Sequence, residues 1–166
     1  MAGAAVAGAA VAGGCAMRRR GNWEFLSDAQ AQTLGALCDQ IVPADDFPSA
    51  SQAGVVTYID RQLVRHYRRH RMAYASGLEQ AERLSRERCG ALLAEAPAAA
   101  RHDVASALAL NQREFFELVR EHTMEGYYGS PRHGGNRDAV SWRMLGLADP
   151  PVLGREQYSL TGSAAS

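Results

Sequence analysis

Lysine is missing from this chain: every one of its 18 basic residues is arginine. That excludes a phosphate-binding loop built on lysine, a Schiff-base nucleophile and pyridoxal chemistry. Cysteine is scarce as well. Cys15, Cys38 and Cys89 are far apart with no C-x-x-C pair, so a closed zinc site or an iron–sulfur cluster would lack ligands at the usual spacing. Neither sign of charge is in excess, with 18 acidic residues against the 18 basic ones, and no nucleic-acid partner is expected. What remains is a 166-residue chain with 46% hydrophobic and 22% charged residues, the profile of one folded domain.

The first 17 residues, MAGAAVAGAAVAGGCAM, contain only Ala, Gly, Val, Met and one Cys. As a helix the run would reach roughly 25 Å, short of a hydrocarbon core of ~30 Å, and its residues are weakly apolar. It reads instead as the apolar part of an export signal, with Ala12, Gly14 and Ala16 small enough for a signal peptidase. Its weak hydrophobicity suits twin-arginine export. The cluster Arg18-Arg19-Arg20 follows the apolar run rather than preceding it, so the signal is incomplete as written and a start upstream of Met1 is expected; the alternative is an Ala/Gly tail. The expected division is a signal-like or disordered leader over 1–22, a helical domain over 23–158 and a disordered tail over 159–166.

Beyond the leader the periodicity is helical, and no alternating strand pattern occurs, which predicts an all-α single domain of about five helices. Ser27 or Asp28 is placed to cap a first helix whose apolar stripe is Leu34, Leu37, Cys38 and Ile41, ending at Pro43. After the turn PADDFPSAS, a second helix carries Val55, Val56, Ile59, Leu63 and Tyr67 on one face, with Arg61, Arg65, Arg68, Arg69 and Arg71 mainly on the others. A third spans Tyr74 to Arg88, stops at Gly90 and pairs Glu82 with Arg86 on its solvated side. A short fourth buries Val104, Leu108 and Leu110. The fifth, between Gln112 and Tyr128, carries Phe115, Phe116, Leu118, Val119, His122, Thr123 and Tyr127.

Four glycines and a proline crowd into Gly126–Gly135 beside Tyr127, Tyr128, Arg132 and His133. A loop of this composition, fixed to a helix by aromatics, is either functional or a seal on the helix bundle. The string Phe115-Phe116, His122-Thr123, Glu125-Gly126-Tyr127-Tyr128-Gly129, Pro131, Gly134-Gly135-Asn136, Trp142 and Gly146 resembles the small subunit, subunit 3, of membrane-bound gluconate 2-dehydrogenase and its relatives. Leu26 to Pro43 and Tyr74 to Leu78 are similar to that family's opening helix and central Gly-Leu step, so the resemblance covers most of the chain. It implies a non-catalytic subunit with no cofactor of its own. The implied partner is a large FAD-dependent flavoprotein of the glucose–methanol–choline type, which oxidises sugars, sugar acids or polyols and passes electrons to a cytochrome c. It also implies twin-arginine export of both chains together, a periplasmic location and indirect membrane association.

On that basis Tyr127, Tyr128, Arg132, His133, Asn136 and Trp142 are the expected partner-interface residues, with packing inside the chain as the alternative for each. Other readings stay open. His66 and His70, four apart in RHYRRHR, suggest together with His133 a small metal-dependent hydrolase, although the flanking arginines would repel a dication and H-E-x-x-H is absent. The same basic stretch suits an acidic partner patch or anionic lipid better than a metal. His122 with Thr123 and Glu125 hints at acid–base chemistry, but spacing assembles no catalytic set, and a buried hydrogen-bonded histidine is the commoner outcome. Cys38 and Cys89 form either a disulfide in an oxidising compartment or two separate thiols. A stand-alone envelope protein is the remaining alternative.

Overall fold

The computed structural model describes residues 23–147, and the expected leader over 1–22 and tail over 159–166 lie outside them. The described residues form six α-helices and no strand, in one compact unit. They are α1 (Asp28–Ile41), α2 (Val55–Leu63), α3 (Arg71–Cys89), α4 (Ala98–Asn111), α5 (Arg113–Tyr128) and α6 (Val140–Met144), with one 3-10 turn before α3, one before α4 and two between α5 and α6.

Ser27 starts α1 through a reciprocal cap: its Oγ accepts from the Gln30 amide, and Gln30 Oε1 accepts from the Ser27 amide. This satisfies two donors that the first turn leaves free. Every residue from Thr33 to Cys38 is buried, because α1 runs through the middle of the bundle and packs on α2, α3, α4 and α5. Leu34, Leu37, Ile59, Leu63, Leu78, Leu93, Val104, Leu108 and Val119 close the core around it. At 1% exposure or less each of these is withdrawn from water, and burial of such side chains contributes roughly 1.5–3 kcal/mol apiece.

Asp60, on α2, is buried and holds the entry to α1. Its Oδ2 accepts from the Glu24 amide at 2.6 Å, and its Oδ1 accepts from the Phe25 and Leu26 amides at 2.9 and 2.8 Å. Three main-chain donors thus converge on one carboxylate about 35 residues away in sequence.

Three expectations need correction. The second helix does not continue to Tyr67 and the arginines after it; it ends at Leu63, and Arg71 Nε donates to the Leu63 carbonyl at 2.7 Å. The chain turns there so that Tyr67 can reach α5 and Arg71 can lie 5.2 Å over the Phe25 ring. Leu110 is 82% exposed, because α4 joins α5 through the single residue Gln112, and Leu110 falls on the outer side of that joint. Glu82 does not pair with Arg86 but accepts from Thr33 Oγ1 and the Leu93 amide; the i,i+4 pair on α3 is Arg83 with Glu87 at 4.0 Å. Gly90 does end α3, at φ +72°, the left-handed conformation that a side chain resists.

Candidate functional site

The C-terminal end of α5, the loop after it and α6 form one surface feature. Tyr127 points inward, is almost fully buried and donates its hydroxyl to the Pro48 carbonyl at 2.9 Å; burial raises its pKa. Its neighbour Tyr128 is over a third exposed, with the two rings edge to face. The main chain then leaves α5 through Gly129 and makes a 3-10 turn at Pro131–His133, which sets Arg132 and His133 in solvent.

The loop is bolted down by Asn136, which is fully buried. Its Nδ2 donates to the Gly129 carbonyl at 2.8 Å and its Oδ1 accepts from the Ser141 amide at 2.9 Å, so one side chain ties both ends of the loop together. The Arg137 amide donates to the Ala53 carbonyl, docking the loop onto the start of α2. The loop also holds strain. Asn136, Asp138 and Ala139 have φ of 44°, 55° and 53°, a region where a non-glycine residue costs on the order of 1 kcal/mol. Such conformations persist only where the surroundings fix them, as Asn136 and Arg137 do here.

Gly135 is the point of closest approach. A Cβ on it would stand 2.2 Å from the carbonyl oxygen of Gly126, so loop and helix meet backbone to backbone. Trp142, on α6, is partly buried and donates Nε1–H to the Tyr128 carbonyl at 3.0 Å, a main-chain acceptor near the helix end. Met124, Tyr128, Leu145 and Leu147 are large apolar side chains left 37–55% exposed at this end of the molecule.

Of the six expected interface residues, the structure gathers all into this one region but gives them two different tasks. Tyr127 and Asn136 are buried in their own chain and shape the loop, the packing alternative given for each. Tyr128, Arg132 and His133 are exposed, and Trp142 does both, holding Tyr128 and showing part of its ring.

A second cluster was only half legible. His122 on α5 is buried, its ring stacked on Tyr67 at 3.7 Å and 2° and its Nδ1 hydrogen-bonded to the Tyr74 hydroxyl at 2.9 Å. Tyr67 and Tyr58 both donate to Glu125 Oε2. Burial, reinforced by His70 and Arg69 nearby, lowers the His122 pKa to about 4, so the imidazole is neutral at ordinary pH. Burial raises the phenols of Tyr58 and Tyr74, helped by Glu125 at Tyr58. The His122 singled out in the sequence is therefore a neutral, hydrogen-bonded core histidine. Apolar periodicity puts Tyr67 on the second helix and Tyr74 at the start of the third but does not say which helix they meet, and Tyr58 lies off that apolar stripe and gives no signal.

Cys38 and Cys89 are both free thiols, so the disulfide alternative is not what the structure contains. Cys38 is sealed between α1 and α5, accepts from Thr123 Oγ1 at 3.2 Å, and burial pushes its pKa up to about 12. Cys89 is exposed at the end of α3. Thiol chemistry follows the thiolate and its access, so maleimide labelling of the native protein with peptide mapping is expected to modify Cys89 fully and Cys38 only after denaturation. Labelling of Cys38 in the native state would contradict the packing of α1 on α5.

Among the described residues no three His, Cys, Asp or Glu side chains gather to hold a metal ion. The hydrolase alternative required His66, His70 and His133 together; the break after α2 removes the i,i+4 register of the first two, and His133 sits in the C-terminal loop. No helix among the described residues is long and apolar enough to cross a membrane. Comparison with curated proteins gives no match, and neither does comparison with solved structures. The family model of gluconate 2-dehydrogenase subunit 3 matches residues 28–149, from the first helix through the loop and α6, and the chain belongs to that family.

Proposed function

We propose that this chain is the non-catalytic small subunit of a periplasmic sugar or polyol dehydrogenase. It binds and stabilises a large FAD-dependent flavoprotein of the glucose–methanol–choline type, escorts it through export, and leaves the redox reaction and electron transfer to a cytochrome c to its partners. The observation that carries this reading is membership, over most of the chain, of a family defined as a dehydrogenase subunit. The geometry supports it in two ways. Two interior titratable groups are held by hydrogen bonds within the chain, His122 by Tyr74 and Cys38 by Thr123. The loop end presents aromatic and guanidinium side chains on a strained but firmly tied backbone, the residue types that dominate stable interfaces.

The test is capture of the tagged chain from cells of its source. It should bring down a protein with flavin absorbance and dehydrogenase activity, whereas the chain expressed alone should show neither. Turnover by the isolated chain would overturn the reading, and so would failure to retain any flavoprotein. Tyr128→Ala combined with Arg132→Ala is expected to weaken the complex at least about tenfold, because truncating each anchor typically costs ~1–2 kcal/mol. Met72→Ala, at a position 78% exposed on α3, should leave affinity unchanged.

A further inference from the structure

Between Asp60 and Glu79 the chain has no acidic residue, yet it carries Arg61, Arg65, His66, Arg68, Arg69, His70 and Arg71. In a chain of zero net charge, positive charge is thus gathered in one place. The middle of this stretch is the turn from α2 to α3, and it is pinned. The Tyr67 amide donates to the Gln62 carbonyl at 2.8 Å, the His70 amide donates to the Tyr67 carbonyl at 2.8 Å, and the Tyr67 side chain turns inward, stacked on His122 and bonded to Glu125. Arg71 is engaged with the Leu63 carbonyl and the Phe25 ring. What the turn shows outward is Arg65, His66, Arg68 and Arg69, all exposed.

Arginines elsewhere on the surface have a carboxylate on their own helix: Arg83 lies 4.0 Å from Glu87, and Arg120 lies 2.7 Å from Glu117. These are the ion pairs among the described residues, so Arg65, Arg68 and Arg69 have no carboxylate within 4.0 Å. Acids on α5 do stand near the turn, but Glu125 accepts from the Tyr58 and Tyr67 hydroxyls, and Glu121 acts on His70. A turn that presents guanidinium groups and no rigid apolar anchor is unlike the centre of a protein interface, where charge is depleted and aromatic side chains gather. Met72, directly after Arg71, is 78% exposed. Its unbranched, flexible side chain suits a headgroup layer better than a shaped pocket.

We propose that the turn from Arg65 to Arg69 docks this chain directly on an anionic phospholipid bilayer, with the guanidinium groups on lipid phosphates and Met72 at the edge of the contact. Guanidinium forks take phosphate oxygens in pairs, and mobile headgroups gather under arginines at whatever spacing the turn sets. The proposal goes beyond the partner reading, because it uses the α2–α3 turn rather than Tyr128 and Arg132 and needs no flavoprotein.

The experiment is co-sedimentation of the full chain with vesicles of phosphatidylcholine alone and of phosphatidylcholine with 30 mol% phosphatidylglycerol, a composition of about one anionic lipid in three chosen to give a strong surface potential. Wild type should bind the anionic vesicles, release them at high salt and ignore the neutral ones. Arg65→Gln, Arg68→Gln and Arg69→Gln combined should bind at least about 30-fold more weakly, since each arginine near an anionic surface contributes roughly a factor of five. A control with Arg83→Gln, Arg86→Gln and Arg88→Gln, exposed on α3, changes net charge equally and should keep its binding. Both variants retain Arg18, Arg19 and Arg20, and melting curves confirm that each is folded. Equal loss in the control, equal binding to neutral vesicles, or no effect of the turn variant would overturn the dock. Release by millimolar inorganic phosphate at constant ionic strength would overturn it in favour of a free anion. Binding to polyglutamate that the turn variant loses, without binding to vesicles, would overturn it in favour of an acidic protein.

Discussion

Asp60→Ala is expected to lower the melting temperature by roughly 10 °C, the largest effect of any single truncation outside the apolar core. The carboxylate has no counter-cation in hydrogen-bonding contact; its partners are the amides of Glu24, Phe25 and Leu26. Removing it leaves donors unpaired in a part-buried setting, and hydrogen bonds to a charged acceptor contribute about 1.5–3 kcal/mol each when broken one-sidedly. Water reaches Glu24 but not Leu26, which is 1% exposed, so the cost falls mainly on the inner two bonds and totals about 3 kcal/mol. Asp60→Asn keeps one carbonyl oxygen for Phe25 and Leu26 but points an NH2 at the Glu24 amide, so it should recover only part of the loss. Thermal unfolding followed by circular dichroism checks both; a melting shift of under about 2 °C for Asp60→Ala would mean that the clamp does not hold the entry to α1.

Gly135→Ala should unseat the loop without unfolding the bundle. The new methyl would face a main-chain oxygen at 2.2 Å, not the movable end of a side chain, and the helix cannot yield: a Cβ at Gly126 would itself stand 2.8 Å from the Tyr58 ring. The loop must lift, and with it go the two hydrogen bonds of Asn136 and the support for the positive φ at Asp138 and Ala139. The expected cost is about 2–4 kcal/mol, concentrated in the loop and α6. Amide exchange should accelerate at Ser141 and Arg137 by at least about 30-fold while α1 and α3 stay protected. Binding to the flavoprotein should fall by more than about 100-fold. Wild-type exchange rates across the loop would show that the backbone contact between Gly126 and Gly135 is not what seats it.

Much of the bundle was legible from residue order because its signals are local. Ser27 ahead of the first helix and Gly90 after the third are instructions that a helix terminus reads within one turn. Helix α2 failed this logic. Its apolar face continues in register through Tyr67, and what stops it is tertiary: Arg71 caps the Leu63 carbonyl, and Tyr67 is drawn to His122 and Glu125 on α5. The Gly-rich segment was recognisable as special by composition, but the division of labour within it was not. Tyr127 and Tyr128 are identical and adjacent, and only the direction of α5 decides that one anchors at Pro48 while the other faces out. Asn136 gave no sign that it would be buried, since its role comes from a left-handed turn closed by bonds to Gly129 and Ser141.

The convergence of three amides on Asp60 also fixes how the molecule bears a load. Tension applied at Trp23 meets the bonds of Glu24, Phe25 and Leu26 and is delivered through Asp60 to the flank of α2 before it reaches α1. The rest of the bundle is thereby insulated from a tug at its front end.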